Sequence, residues 1–331
     1  MTSTYDSRIA AQLEQFKEGI SHDLPAAFQY WSLNCISPRL IRVFRTNVIA
    51  DIFAQLLTDG GAMPHGSLKF ASLGAGDVQQ EVTVAKSLRK MGYNSFLIDC
   101  YELSQTLLAK GQALVESEGL RDNFRFIQRD LNEEQLNDDY DGVMAHHSLH
   151  HLVGLEAIFD SVRARLKPGG TFAVYDIIGR NGHMRWPEVR DIVKHIWASL
   201  DESKKRHHQL NQTWKEFIDF DCSFSGFEGI RAQDILPALL SRFHFSHFCV
   251  FGGLTEVFVD RAFGKNYDPT SESDKGFIDF IEHLNNLLID CGHIKPTIMF
   301  AGMRSEASVE LKCERHWTPK FCVRPPDLAD Q

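Results

Sequence analysis

From Leu68 onward, short apolar runs alternate with segments of helical period. Residues 68–73, 95–100, 124–128, 142–146, 171–178, 244–250 and 298–303 are apolar runs of strand length. Among the first five of them, residues 78–90, 104–117 and 155–166 read as helices. In the third helix Leu155, Ile158, Phe159, Val162 and Leu166 share one face, while Glu156, Asp160, Arg163 and Arg165 fall off it. Lys167-Pro168-Gly169-Gly170 stops that helix and opens the next strand. Ahead of this alternation, residues 8–58 carry the helical spacing of Ile41, Val48, Ile49, Ile52, Phe53, Leu56 and Leu57, and Asp59-Gly60-Gly61 breaks it.

Strands alternating with helices predict an α/β fold, a doubly wound and mostly parallel sheet of seven strands. A ligand site is expected at the carboxyl ends of its strands, near the topological switch point. The chain divides into an N-terminal helical cap (1–62), a ligand-binding core (63–180), an insertion (181–242) and the rest of the core sheet with a helical insertion (243–331). Roughly 60 residues separate the fifth and sixth strands and nearly 50 the sixth and seventh, lengths that predict helical lids. Trp186, Trp197, Trp214, Phe217 and Phe220 give the first insertion apolar mass to pack.

The length of 331 residues and 43% hydrophobic content suit one large α/β domain with insertions, or two small domains. No apolar run is long enough to span a membrane, and the N-terminus lacks a secretory layout. The net charge of -9 argues against a nucleic-acid surface. Seven scattered cysteines without a Cys-x-x-Cys read as reduced thiols of a cytoplasmic protein.

The candidate chemistry begins at Phe70-Ala71-Ser72-Leu73-Gly74-Ala75-Gly76-Asp77, where a strand ends in a glycine turn that lets backbone N–H groups approach a nucleotide-like ligand. The third glycine of dinucleotide folds is absent, since Val78 follows Asp77, and this weakens a reading as an NAD site. Glu102-Leu103-Ser104-Gln105-Thr106-Leu107-Leu108 follows the second strand, and Phe126-Ile127-Gln128-Arg129-Asp130-Leu131 carries an acid past the third. Tyr140-Asp141-Gly142-Val143, Ser148-Leu149-His150-His151-Leu152 and Leu166-Lys167-Pro168-Gly169-Gly170 complete the series. In this order and spacing the chain resembles the class I S-adenosylmethionine (SAM)-dependent methyltransferases, well over residues 70–178 and loosely elsewhere.

The resemblance implies a Rossmann-like fold and SAM as cofactor. It implies that Gly74 and Gly76 lie against the methionine part, that Glu102 accepts from the ribose hydroxyls, and that Leu103 beside it also borders the cofactor. It further implies that Asp130 accepts from the adenine amine with Leu131 as a neighbouring N–H or apolar wall, and that His146 borders the sulfonium. Asp99, inside the second strand, is the alternative ribose acceptor. Tyr30, in Gln29-Tyr30-Trp31-Ser32, either folds over the cofactor or packs its helix onto the sheet.

A hydroxyl acceptor needs its proton removed, and His146, His147, His150 and His151 cluster where the fourth strand ends. His147 is the first candidate base, with His150 and His183 as further catalytic candidates. Trp186 and Arg231 are candidate substrate contacts, and Arg231 alternatively pairs with acids in a salt-bridged lid. A metal is not expected, because no carboxylate is spaced to complete the His cluster. The expected activity is methylation of a small or sugar-containing metabolite at oxygen, in biosynthesis, with no nucleic-acid or membrane partner and homo-oligomerisation left open. The alternatives are transfer to nitrogen or carbon, non-methylating chemistry on the same fold, and a non-catalytic partner protein.

Overall fold

The computed structural model describes residues 4–16, 23–60, 67–307 and 310–325. The helices are α1 (Thr4–Gln15), α2 (Ala26–Trp31), α3 (Ser37–Phe44), α4 (Ile49–Thr58), α5 (Gln79–Lys90), α6 (Gln105–Ser117), α7 (Leu155–Arg165), α8 (Pro187–Ser199), α9 (Ala232–Leu240), α10 (Glu256–Val259), α11 (Glu272–Asp290) and α12 (Pro319–Cys322). The strands are β1 (Leu68–Leu73), β2 (Phe96–Glu102), β3 (Phe124–Gln128), β4 (Tyr140–His146), β5 (Leu166–Ile177), β6 (Arg206–His207), β7 (Gln212–Thr213), β8 (His244–Phe251), β9 (Ile298–Arg304) and β10 (Lys312–Cys313).

Among the described residues eight strands form the main sheet, in the order β10-β8-β9-β5-β4-β1-β2-β3. The five from β3 to β5 are parallel, and β9 runs antiparallel between β5 and β8. The sheet is thus Rossmann-like and mostly parallel. Its eight strands correct the expected seven, because β10 is only two residues long and leaves no readable period. The strand order reverses between β1 and β4, which places the switch point there. Leu73 pairs with Tyr101 on one side and Ala145 on the other, so Gly74, Glu102 and His146 leave the sheet at one edge.

The helical pattern of residues 8–58 does not form one long rod. A π-helical turn at Ser32–Ile36 joins α2 to α3, and left-handed Arg45 (φ 67°) ends α3. The end of this segment packs on the sheet rather than capping it. Phe53 lies 4.8 Å from Phe300 between ring centroids, and Leu57 closes on Gly142, where a Cβ would come within 2.7 Å of it. Residues 181–242 are helical at their two ends, α8 and α9, and mostly irregular between, with a 3-10 turn at Glu202–Lys204 and the short β6–β7 hairpin. Trp197 sits in an aromatic group with Phe217 and Phe263, which fixes the insertion to the following segment. No helix among the described residues is long and apolar enough to cross a membrane.

Candidate active site

The glycine turn owes its shape to two kinds of crowding. Gly74 and Gly76 both adopt left-handed backbone (φ 66° and 56°), which glycine reaches without penalty. A Cβ at Gly74 would lie 2.6 Å from Cβ of Ser148, whose hydroxyl donates to the Leu73 carbonyl at 2.6 Å. Val78, in place of a third glycine, also takes a left-handed conformation (φ 66°), an outlier for a β-branched residue. Its side chain is fully buried against Gly111 of α6.

Glu102 emerges from β2 directly beneath this turn. Its Oε2 accepts the N–H of Gly76 at 2.9 Å and its Oε1 accepts the N–H of Ser104 at 2.8 Å. Burial pushes its carboxyl above the ordinary value, while the Ser104 and Gly76 N–H groups act in the other direction. Asp99 has a different task. It is wholly buried, and accepts from Nε of Arg125 and from the Tyr140 hydroxyl, each at 2.8 Å. Past β3, Asp130 Oδ1 accepts the Asn132 N–H at 2.9 Å, and Oδ2 accepts the Tyr5 hydroxyl of α1 at 2.6 Å. Leu131 is buried beside it, and the Leu103 carbonyl accepts from Gln128 at 3.3 Å.

The histidines form a second cluster at the ends of β4 and β5. His146 packs its ring between Phe53 and Tyr175. His147 turns the chain with left-handed backbone (φ 50°), a strained conformation held by the bond from its N–H to the Tyr175 carbonyl (2.8 Å). Burial pushes the His147 imidazole down to about 4, so the ring is neutral at neutral pH. One ring nitrogen each of His147 and His150 and a carboxylate oxygen of Asp176 lie within 4.8 Å of one another. His150 Nδ1 is 2.6 Å from Asp176 Oδ1, and His183 Nε2 is 2.7 Å from Glu228 Oε1. Burial works against charge on His150, but Asp176 and Glu228 outweigh it and push it up to about 10. His151 goes the other way, pushed by burial and then by His150 to about 3.

Three candidates are not drawn into this cleft. The Tyr30 hydroxyl donates to Asp279 of α11 at 2.7 Å, which is the helix-packing alternative. Arg231 forks onto both oxygens of Glu156 at 2.7 Å and onto Asp234 at 2.8 Å, the salt-bridged alternative. Trp186 is buried under Arg324, whose guanidinium lies 4.5 Å from the ring centroid.

Sequence reasoning passed over Asp176, Glu228 and Tyr5. A carboxylate ending the apolar run of β5 was the signal for Asp176, since its burial demands partners. It accepts the N–H groups of Ser148, Leu149 and Ile177 as well as bonding His150. Nothing local marked Glu228 or Tyr5, whose partners come from distant segments.

Residues 74–172 match the family model described as "Methyltransferase domain". The match spans under a third of the chain and takes in the glycine turn, Glu102, Asp130 and the histidines that follow β4. The chain is also 39% identical over 62 residues to a sterol 24-C-methyltransferase of Gibberella zeae, a match covering 18% of this chain and 16% of that enzyme. Among solved structures it is similar to StiE O-MT (12% identity, 80% of this chain and 77% of that one, TM-score 0.45). It is also similar to the O-methyltransferase of a trans-AT PKS multienzyme of Brevibacillus brevis in complex with S-adenosyl-L-homocysteine (11% identity, 96% and 82% coverage, TM-score 0.45).

Proposed function

We propose that this chain methylates a hydroxyl group of a small-molecule or sugar-containing acceptor, with SAM as donor and His147 as the group that takes the hydroxyl proton. The observation that carries this reading is His147 itself: a neutral imidazole on strained backbone at the carboxyl end of β4, beside Asp176.

The residues at the switch point fit SAM. Each oxygen of Glu102 accepts one backbone N–H and keeps a second lone pair for a ribose hydroxyl. Asp130 has the same spare capacity for an exocyclic amine. When bound, SAM supplies a methyl group already activated on a sulfonium, so the protein's main work is alignment and exclusion of water. Gly74 and Gly76 permit close approach to main chain, Leu131 and His146 wall the cleft, and His147 accepts the acceptor's proton as its oxygen bonds to carbon. Asp176 is held ionised and favours the imidazolium that results. Residues 181–242 are read as the lid that closes over the acceptor.

The test uses methyl-labelled SAM with a panel of small hydroxyl, amine and carbon acceptors. Label is expected on oxygen, and His147→Ala is expected to lower turnover by roughly 10²–10⁴-fold with S-adenosylhomocysteine affinity unchanged. Label confined to nitrogen or carbon, or a fully active His147→Ala, overturns the reading.

A further inference from the structure

The cluster next to His147 holds more charge than proton transfer requires. His150 Nδ1 meets Asp176, its Nε2 lies 3.4 Å from Glu228 Oε1, and His183 Nε2 lies 2.7 Å from that same oxygen. Among the described residues no lysine or arginine is paired with either carboxylate, whose partners are backbone N–H groups, Gln15 and histidines. Asp176 is entirely buried, so its charge needs a cation beside it, either an imidazolium or a metal ion.

The geometry is that of a ligand set. His150 Nε2, His183 Nε2 and Glu228 Oε1 lie within 4.8 Å of one another. Asp176 on Nδ1 fixes the His150 tautomer that leaves Nε2 free to coordinate, the arrangement by which carboxylates orient metal-bound histidines. Main-chain bonds brace the three segments. Ile230 N–H donates to the His150 carbonyl (3.1 Å), and Gly182 N–H donates to the Gly229 carbonyl (2.8 Å). Gly229 is required there, since a Cβ would lie 3.0 Å from the nitrogens of Gly182 and His183. His183 itself is held at φ 56°, strain that a ligand position explains and a surface histidine would not need.

We propose that His150, His183 and Glu228 bind one divalent transition-metal cation of the zinc type, with Asp176 as the positioning residue for His150. Two imidazoles and one carboxylate select such an ion over magnesium or calcium, which prefer oxygen ligands. Three protein ligands leave a position for water or another oxygen. The ion joins the insertion, which supplies His183 and Glu228, to the core, which supplies His150. This proposal stands on the ligand geometry and does not depend on which acceptor atom is methylated.

The full chain, stripped with chelator, is titrated with Zn²⁺ by calorimetry and with Co²⁺ by visible absorption. About one equivalent is expected at micromolar affinity or tighter, with a cobalt band of nitrogen and oxygen ligation. Glu228→Gln and His183→Ala should abolish that binding, Asp176→Asn should weaken it roughly 10–100-fold, and the exposed His195→Ala should leave it unchanged. Circular dichroism verifies that each variant is folded, and Glu228→Gln keeps the shape of the side chain should His183→Ala fail to fold. No binding by the wild type, or undiminished binding by Glu228→Gln, overturns the proposal and leaves an imidazolium as the compensating cation.

Discussion

Glu102 Oε2 accepts the N–H of Gly76 at 2.9 Å, tying the end of β2 to the glycine turn 26 residues earlier. The side chain that would hold the ribose therefore also holds the turn. Truncation in Glu102→Ala should weaken S-adenosylhomocysteine binding by about 1.5–3 kcal/mol, measured by calorimetry. Asp99→Asn should lower the melting temperature instead, since Asp99 is bound to Arg125 and Tyr140 within the sheet. Unchanged affinity in Glu102→Ala with lost affinity in Asp99→Asn would reverse the two roles.

Glu81 provides a test by pH. Burial pushes its carboxyl from 4.5 up to about 7, against the bond from the Ser72 hydroxyl. The folded state thus binds the proton more tightly than the unfolded chain. This contribution is present at low pH and is lost as pH rises through the window from 4.5 to about 7. Glu81→Gln removes the titration, so the variant should gain on the wild type by up to about 3 kcal/mol between pH 5 and pH 8 in urea unfolding. An equal difference at both pH values would show that Glu81 does not carry the buried proton.

Gly111 and Val78 should be strongly coupled. Gly→Ala inside a helix ordinarily gains about 0.5–1 kcal/mol. Here a Cβ at Gly111 would lie 2.4 Å from Cγ2 of Val78, so Gly111→Ala should destabilise the protein. In the Val78→Gly background the same substitution should cost less, with a coupling of at least about 1 kcal/mol in denaturant titrations. Strict additivity would mean that the helices separate freely at this point.

Tyr5→Phe removes the bond to Asp130 while keeping the ring against Phe227 (centroids 5.5 Å apart). The loss should cost α1 about 1 kcal/mol of local stability, and its amides should exchange roughly fivefold faster. Exchange unchanged across α1 would show that its other anchors suffice, Arg8 on the Ser223 and Gly226 carbonyls, Gln12 on His151 and Gln15 on Glu228.

Local pattern determined much of this protein. The seven longer strands, α5 to α7 and the glycine turn are all placed by periodicity and turn chemistry within a few residues, because each is set by neighbours in the chain. That short range also explains what stayed illegible. The two-residue β10 has no period to read. Tyr30 carries the same aromatic signal whether it covers a ligand or donates to Asp279, 249 residues away. The absence of a carboxylate near the His cluster was true of the sequence and false of the fold: Asp176 reaches His150 across 26 residues and Glu228 reaches His183 across 45. Strand register and the crossing of Gly182 with Gly229 bring them together. Side chains so far apart in sequence meet only when the sheet and its insertion have packed, so the charge and ligand geometry of this site belong to the tertiary structure alone.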